Sequence, residues 1–175
     1  MRQVFYRNLP YSADDFITLY KTLSADKEQH ILLESGRNGN YSMFGINPVA
    51  VLEGWENHLN VVDHSGRQEK MEGDPLLAMK QWMSRHEMLY DETLPDFQGG
   101  AMGFISYDYA RKIEKLPKLA KDDLETPLLY FLVFEEMFVF DYEKQTIWLM
   151  KIGEANEADS CQRWLEEMER MCRAI

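Results

Sequence analysis

Gly99, Gly100 and Gly103 punctuate the apolar run from Phe97 to Ile105, and a glycine cluster is the first place to look for phosphate chemistry. The spacing does not fit a dinucleotide cradle, and the lysine of a P-loop is missing. Ser106 and Asp108 share a face two residues apart but have no base between them, so they make no nucleophilic triad. The carboxylate pairs Asp14-Asp15, Asp122-Asp123 and Glu135-Glu136 are sequence neighbours. Neighbours on a strand point to opposite faces, so Glu135 and Glu136 cannot act together on one substrate. The four histidines, His30, His58, His64 and His86, lack ligand spacing. Cys161 and Cys172 fall about three helical turns apart, too far for a disulfide within one helix. No active site is expected in this chain.

A binding site is another matter. An apolar strand ending in Leu32-Leu33-Glu34-Ser35 is followed by Tyr41-Ser42-Met43-Phe44. Pairing the two gathers Ser35, Ser42, the acid Glu34 and the aromatics Tyr41 and Phe44 at one mouth, with the Met43 thioether beside them. Hydroxyls and an acid suit an amino-acid head group, while aromatic and thioether walls suit its side chain. An ordinary hairpin with polar ends is the competing reading.

The elements that must position these residues follow from pattern and punctuation. Ser12-Ala13-Asp14-Asp15 has the form of a capping box, and Phe16, Leu19, Tyr20 and Leu23 continue it as a helix. Strands are expected over residues 30–35 and 41–46, then over 49–55 and 59–62. Asp74-Pro75 opens a second helix with Leu76, Met79, Trp82 and Met83 on one face. The glycine run reads as a buried strand whose glycines need a bulge, a bend or a close backbone. Leu128 to Asp141 reads as one long apolar run that pairs with residues 146–151 across the turn Tyr142 to Gln145. The tail from Ala155 to Ile175 is a helix with an apolar stripe of Cys161, Trp164, Leu165, Met168, Met171, Cys172 and Ile175. That stripe either packs on its own domain or waits as a seam for something further along a longer chain. The expected class is α+β, a meander of antiparallel β-sheets in a sandwich-like arrangement with three or more flanking helices.

At 175 residues and 45% hydrophobic content the chain is globular, with length for one domain or slightly more. A net charge of −11 argues against a nucleic-acid partner. No apolar run approaches bilayer length, and two unpaired thiols fit a reducing, cytoplasmic setting.

Two long motifs carry a family resemblance. Leu32 to Pro48, LLESGRNGNYSMFGINP, and Phe97 to Pro117, FQGGAMGFISYDYARKIEKLP, resemble segments of the chorismate-using synthases: component I of aminodeoxychorismate (para-aminobenzoate) synthase and of anthranilate synthase. The resemblance runs from about Phe16 to Trp148 in the expected order, and residues 122–127 with 130–134 lean toward the para-aminobenzoate branch. It implies that residues 1–175 are the amino-terminal, tryptophan-pocket region, as a cut piece or a natural fragment, with the catalytic chorismate-binding domain elsewhere. No catalytic or metal residue carries over, no cofactor is expected here, and magnesium is implied only for the absent domain. The implied partners are that domain, a glutamine amidotransferase subunit (component II) and tryptophan at Leu33, Glu34, Ser35, Tyr41, Ser42, Met43 and Phe44. A stand-alone amino-acid-binding module, or an interaction domain that docks the amidotransferase through its acidic surface, are readings of other classes.

Overall fold

A computed structural model describes residues 1–35, 39–115, 117 and 124–175. The turn residues Gly36, Arg37 and Asn38 and the pair Asp122-Asp123 lie outside the described residues. In chain order the first half contains β1 (Gln3–Pro10), α1 (Ala13–Ser24), β2 (Ile31–Leu33), β3 (Tyr41–Gly45), β4 (Ala50–Gly54), β5 (His58–Asp63), β6 (Gln68–Glu72) and α2 (Pro75–Met83). The second half contains β7 (Gly100–Ile105), α3 (Ala110–Ile113), β8 (Leu129–Phe134), β9 (Glu136–Asp141), β10 (Thr146–Gly153) and α4 (Ala158–Ala174). The α+β class and the antiparallel sheets match expectation. The chain divides into two compact units.

The first unit comprises Met1–Pro48, Glu87–Gly100 and Phe134–Ile175. Its sheet has the order β1-β10-β9-β3-β2, every neighbour antiparallel. Helix α1 starts as the sequence requires, with the Ser12 hydroxyl accepting from the Asp15 N–H at 3.1 Å, a cap worth about 1 kcal/mol. Phe16 and Leu19 of α1 and Leu165, Met168 and Cys172 of α4 pack on Phe44, Phe138, Phe140, Ile147 and Leu149 of the sheet. The tail stripe therefore covers its own unit, apart from Ile175, which stays 41% exposed. Strand β1 carries no sequence signal, because Arg7 and Asn8 interrupt its apolar residues. It forms because all eight of its residues pair with β10, while Arg7 reaches Glu166 and Glu169 on α4.

The second unit comprises Val49–His86 and Ala101–Val133. Its sheet has the order β6-β5-β4-β8-β7, so only β4, β5 and β6 form a true meander. Ala50, Leu52, Leu59, Val61, Leu129 and Val133 face Ala78 and Trp82 of α2. Asp74 caps α2, accepting from the Leu76 and Leu77 N–H groups at 3.0 and 3.1 Å. The buried stripe of α2 is Pro75, Ala78 and Trp82 rather than one led by Leu76, which is 37% exposed. Strand β6 is charged enough to read as loop; its alternation survives because Met71 turns inward onto the core.

Two further expectations are corrected. The run from Leu128 to Asp141 is two strands in two sheets, broken at Glu135. There the Glu135 carboxylate pairs with Arg2 and its carbonyl accepts from the Ile152 N–H at 2.8 Å. The glycine run is a half-exposed edge strand, with Met102 buried but Phe104 45% and Ile105 48% exposed.

Candidate functional site

The β2–β3 hairpin sets Leu32 opposite Phe44 and Leu33 opposite Met43, while β3 on its other side sets Tyr41 opposite Asp141 and Met43 opposite Val139. Alternation then divides the seven expected residues between two faces. Ser42 and Phe44 turn toward the helix-covered core. Phe44 is fully buried, stacked on Phe138 with centroids 4.4 Å apart and touching Phe16 and Tyr20. Leu33, Tyr41 and Met43 occupy the opposite face, where Leu33 is 44% exposed and the other two are half-buried. Glu34 is exposed at the hairpin's end.

Hydroxyls hold the mouth of this hairpin in shape. The fully buried Ser42 Oγ accepts from the Ser35 N–H at 3.1 Å and shares a hydrogen bond with the Tyr142 hydroxyl at 2.8 Å. The Ser35 hydroxyl donates to the Tyr41 carbonyl. Tyr142 in turn donates its N–H to the Asn40 carbonyl at 3.0 Å and meets Phe140 edge-on. Ser35 and Ser42 thus spend their polar atoms on the backbone, on each other's strand and on the Tyr142 hydroxyl. Their arrangement fixes where Tyr41 and Met43 stand.

Three groups absent from the sequence reading, Tyr90, Asp96 and Trp148, stand at this face. Burial pushes the Tyr41 hydroxyl up, reinforced by the carboxylates of Asp141, Asp96 and Glu143 and by Tyr90. Asp96 accepts from the Tyr90 hydroxyl at 3.4 Å, so the loop before β7 brings an acid and an aromatic ring into the electrostatic reach of Tyr41. Trp148 lies in the same cross-strand row as Met43 and Val139. Its indole Nε1 is the one buried side-chain nitrogen or oxygen without a partner among the described residues. An orphaned buried donor is costly unless something accepts from it. The exposed acid Asp96, suited to an ammonium group, the free Trp148 donor, suited to a carboxylate or carbonyl, and apolar Leu33 and Met43 are what a zwitterionic amino acid with a large apolar side chain requires, while Val139 lies fully buried beneath them.

The protein-family model described as chorismate binding enzyme matches residues 28–174. The chain belongs to this family. Over 165 residues it is 38% identical to aminodeoxychorismate synthase component 1 of Bacillus subtilis (strain 168), covering 94% of this chain and 35% of that protein. It is 36% identical over 120 residues to anthranilate synthase component 1 of Acetivibrio thermocellus, covering 66% of this chain and 24% of that protein. Among solved structures, anthranilate synthase component I from Streptococcus pneumoniae TIGR4 superposes with a TM-score of 0.60 at 25% identity, covering 91% of this chain and 36% of the other. The match falls in the amino-terminal part of the relatives, and the chain spans about a third of their length or less.

Within this chorismate-binding family member the second motif does structural work in the described residues. Gly99 and Gly100 hold φ of +141° and +119°, where a side chain would be strained. A Cβ on Gly103 would stand 1.9 Å from the Tyr130 carbonyl oxygen, so β7 and β8 approach as only glycine permits. Farther along, the Tyr109 hydroxyl donates to both Asp74 oxygens at 2.9 and 3.0 Å, and Lys112 reaches the Glu56 carbonyl and lies 3.9 Å from Asp74. Burial raises the Asp74 carboxyl, but the Leu77 N–H, Tyr109, the Leu76 N–H and Lys112 outweigh it and leave it below the ordinary range. Among the described residues there is no group of three or more His, Cys, Asp or Glu side chains that could hold a metal ion. No described helix is long and apolar enough to cross a membrane.

Proposed function

We propose that this chain is the non-catalytic amino-terminal part of an aminodeoxychorismate synthase component 1. The whole enzyme converts chorismate and ammonia to 4-amino-4-deoxychorismate in the cytoplasm, with ammonia delivered by a glutamine amidotransferase subunit. What carries the reading is 38% identity across 94% of the chain to the Bacillus subtilis protein of that name. Magnesium and the chorismate site belong, on this reading, to the portion of the relatives that the chain does not span. The open face around Leu33, Tyr41, Met43 and Trp148 is read as an amino-acid pocket of tryptophan type, with Glu34 and Ser35 at its rim and Ser42 and Phe44 shaping it from behind.

Grafting the chain in place of the matching region of the Bacillus subtilis enzyme tests the reading. The graft is expected to form 4-amino-4-deoxychorismate from chorismate, ammonium and magnesium, and the 175-residue chain alone to form none. Turnover by the chain alone would overturn the assignment of the chemistry to the missing portion. The second reading is anthranilate synthase component 1, supported by 36% identity to the Acetivibrio protein. A graft that works only in that enzyme would select it. Calorimetric titration of the chain alone with tryptophan is expected to show binding weaker than micromolar, since the remaining domain would complete the pocket.

A further inference from the structure

Residues 87–100 belong to the first unit, although the residues on either side of them in sequence belong to the second. The segment is tied down near both ends. At its start the Leu89 N–H donates to the Arg2 carbonyl at 2.9 Å, and the Arg2 side chain pairs with Glu135. At its end a Cβ on Gly99 would collide with Ile152, which lies four residues beyond Trp148 on the same face of β10. The end of the segment therefore rests on the Trp148 face.

Between these ties the segment is closed by a side chain. Gln98 is polar yet only 1% exposed. Its Oε1 accepts from the Asp91 N–H at 3.1 Å, and its Nε2 donates to the Asp91 carbonyl at 2.6 Å. The side-chain amide thus does for Asp91 what a paired strand residue would, exchanging two bonds with one residue. Asp91 is held from its other side as well. Its Oδ1 accepts from the Thr93 N–H at 2.9 Å and from the Thr93 hydroxyl at 2.6 Å, and its carbonyl also accepts from the Leu94 N–H at 3.2 Å. Leu94 and Pro95 are buried, and the exposed Asp96 that follows them accepts from the Tyr90 hydroxyl. Closing the chain at Asp91 and Gln98 removes most of the conformations that Asp96 would otherwise explore.

We propose that Gln98 is a positioning residue, whose clasp on Asp91 holds Asp96 where it receives the ammonium group of an amino-acid ligand on the Tyr41 face. This rests on reading that face as an amino-acid pocket. Both polar groups of the Gln98 side chain are spent on Asp91, so none is left for a ligand and Gln98 acts through Asp96. The Asp96 carboxylate is near enough to act on the Tyr41 hydroxyl. An acid already ordered loses little freedom when it pairs, so more of the attraction appears as affinity. The clasp therefore favours ligands that carry a free amine and is indifferent to those that lack one.

Tryptophan and 3-indolepropionate, which is tryptophan without its amine, test this by NMR titration of the 175-residue chain at millimolar concentrations. Gln98→Met fills similar space and removes both hydrogen bonds. Gln98→Met and Asp96→Asn are each expected to weaken tryptophan binding about threefold to fivefold, and the double variant no more than Asp96→Asn alone. 3-Indolepropionate is expected to bind all of these chains alike. Equal weakening of both ligands by Gln98→Met, or of neither, would overturn the positioning role and leave the pocket standing. If the wild-type chain binds neither ligand, the pocket reading falls, and the positioning role with it. Amide exchange in the unliganded wild-type chain needs no variant. The Asp91 amide is expected to exchange at least about tenfold more slowly than that of exposed Glu92, and equal rates would overturn the clasp.

Discussion

Gly103→Ala is the sharpest test of why the glycine run exists. The added Cβ would lie 1.9 Å from the Tyr130 oxygen and 2.8 Å from the Phe131 Cα, both backbone atoms that no rotamer change can move. Ordinary contact needs about 1.5 Å more than that, so β7 must lift away from β8. A lift of that size breaks the 2.7 Å bond from Ser106 N–H to the Leu128 carbonyl and its neighbours in the ladder. Overpacking costs about 1–3 kcal/mol and each lost ladder bond about 1 kcal/mol, so the variant should lose about 3 kcal/mol. Against a total stability of about 5–15 kcal/mol this is a large fraction. Urea unfolding followed by circular dichroism measures it, with Gly66→Ala as the comparison. Gly66 has φ of +84° and nothing within 4 Å of a Cβ, so it carries the conformational penalty alone, about 1 kcal/mol. Equal losses at the two positions would refute the close-approach argument.

Phe44→Ala should cost about 3–5 kcal/mol in the same assay, because the ring is fully buried against Phe138 and Phe16; Met43→Ala, on the opposite face, should cost clearly less and act instead on ligand titrations. Ser42→Ala should cost about 1–3 kcal/mol by orphaning the Ser35 N–H and the Tyr142 hydroxyl, visible as faster exchange of the Ser35 amide. Burial and the hydrogen bond to Asp74 push the Tyr109 hydroxyl up to about 12 from 10.0. The folded state then holds this proton more tightly than the unfolded chain, so its contribution is complete below pH 10 and is lost as pH rises toward 12. Tyr109→Phe should flatten that alkaline decline in stability.

Helix boundaries were legible because they are local. Ser12 and Asp74 announce their helices by side-chain chemistry that needs no tertiary partner, and both cap as expected. Strands held by partners were not. β1 depends on β10 more than a hundred residues away and on carboxylates of α4, neither of which leaves a mark in residues 3–10. The break at Glu135 was missed for the same reason: Leu129 to Phe134 and Met137 to Phe140 are both apolar throughout, and their different neighbours are what separate them.

The candidate site shows where one-dimensional reading stops. Proximity in sequence suggested that Tyr41, Ser42, Met43 and Phe44 share one mouth, yet strand alternation applies to them. Applied consistently, it keeps Tyr41 and Met43 with Leu33 and assigns Ser42 and Phe44 to support. The period-two rule could have found that division; it could not have found Trp148. Nothing in Thr146-Ile147-Trp148-Leu149 distinguishes an indole with a free N–H from one already satisfied, because the distinction lies in what stands across β9. A ligand on this face, as proposed, would find the one buried unmet donor of the described residues outside both motifs, and replacing that indole nitrogen should discriminate ligand binding from hairpin integrity, which Ser35 and Ser42 maintain.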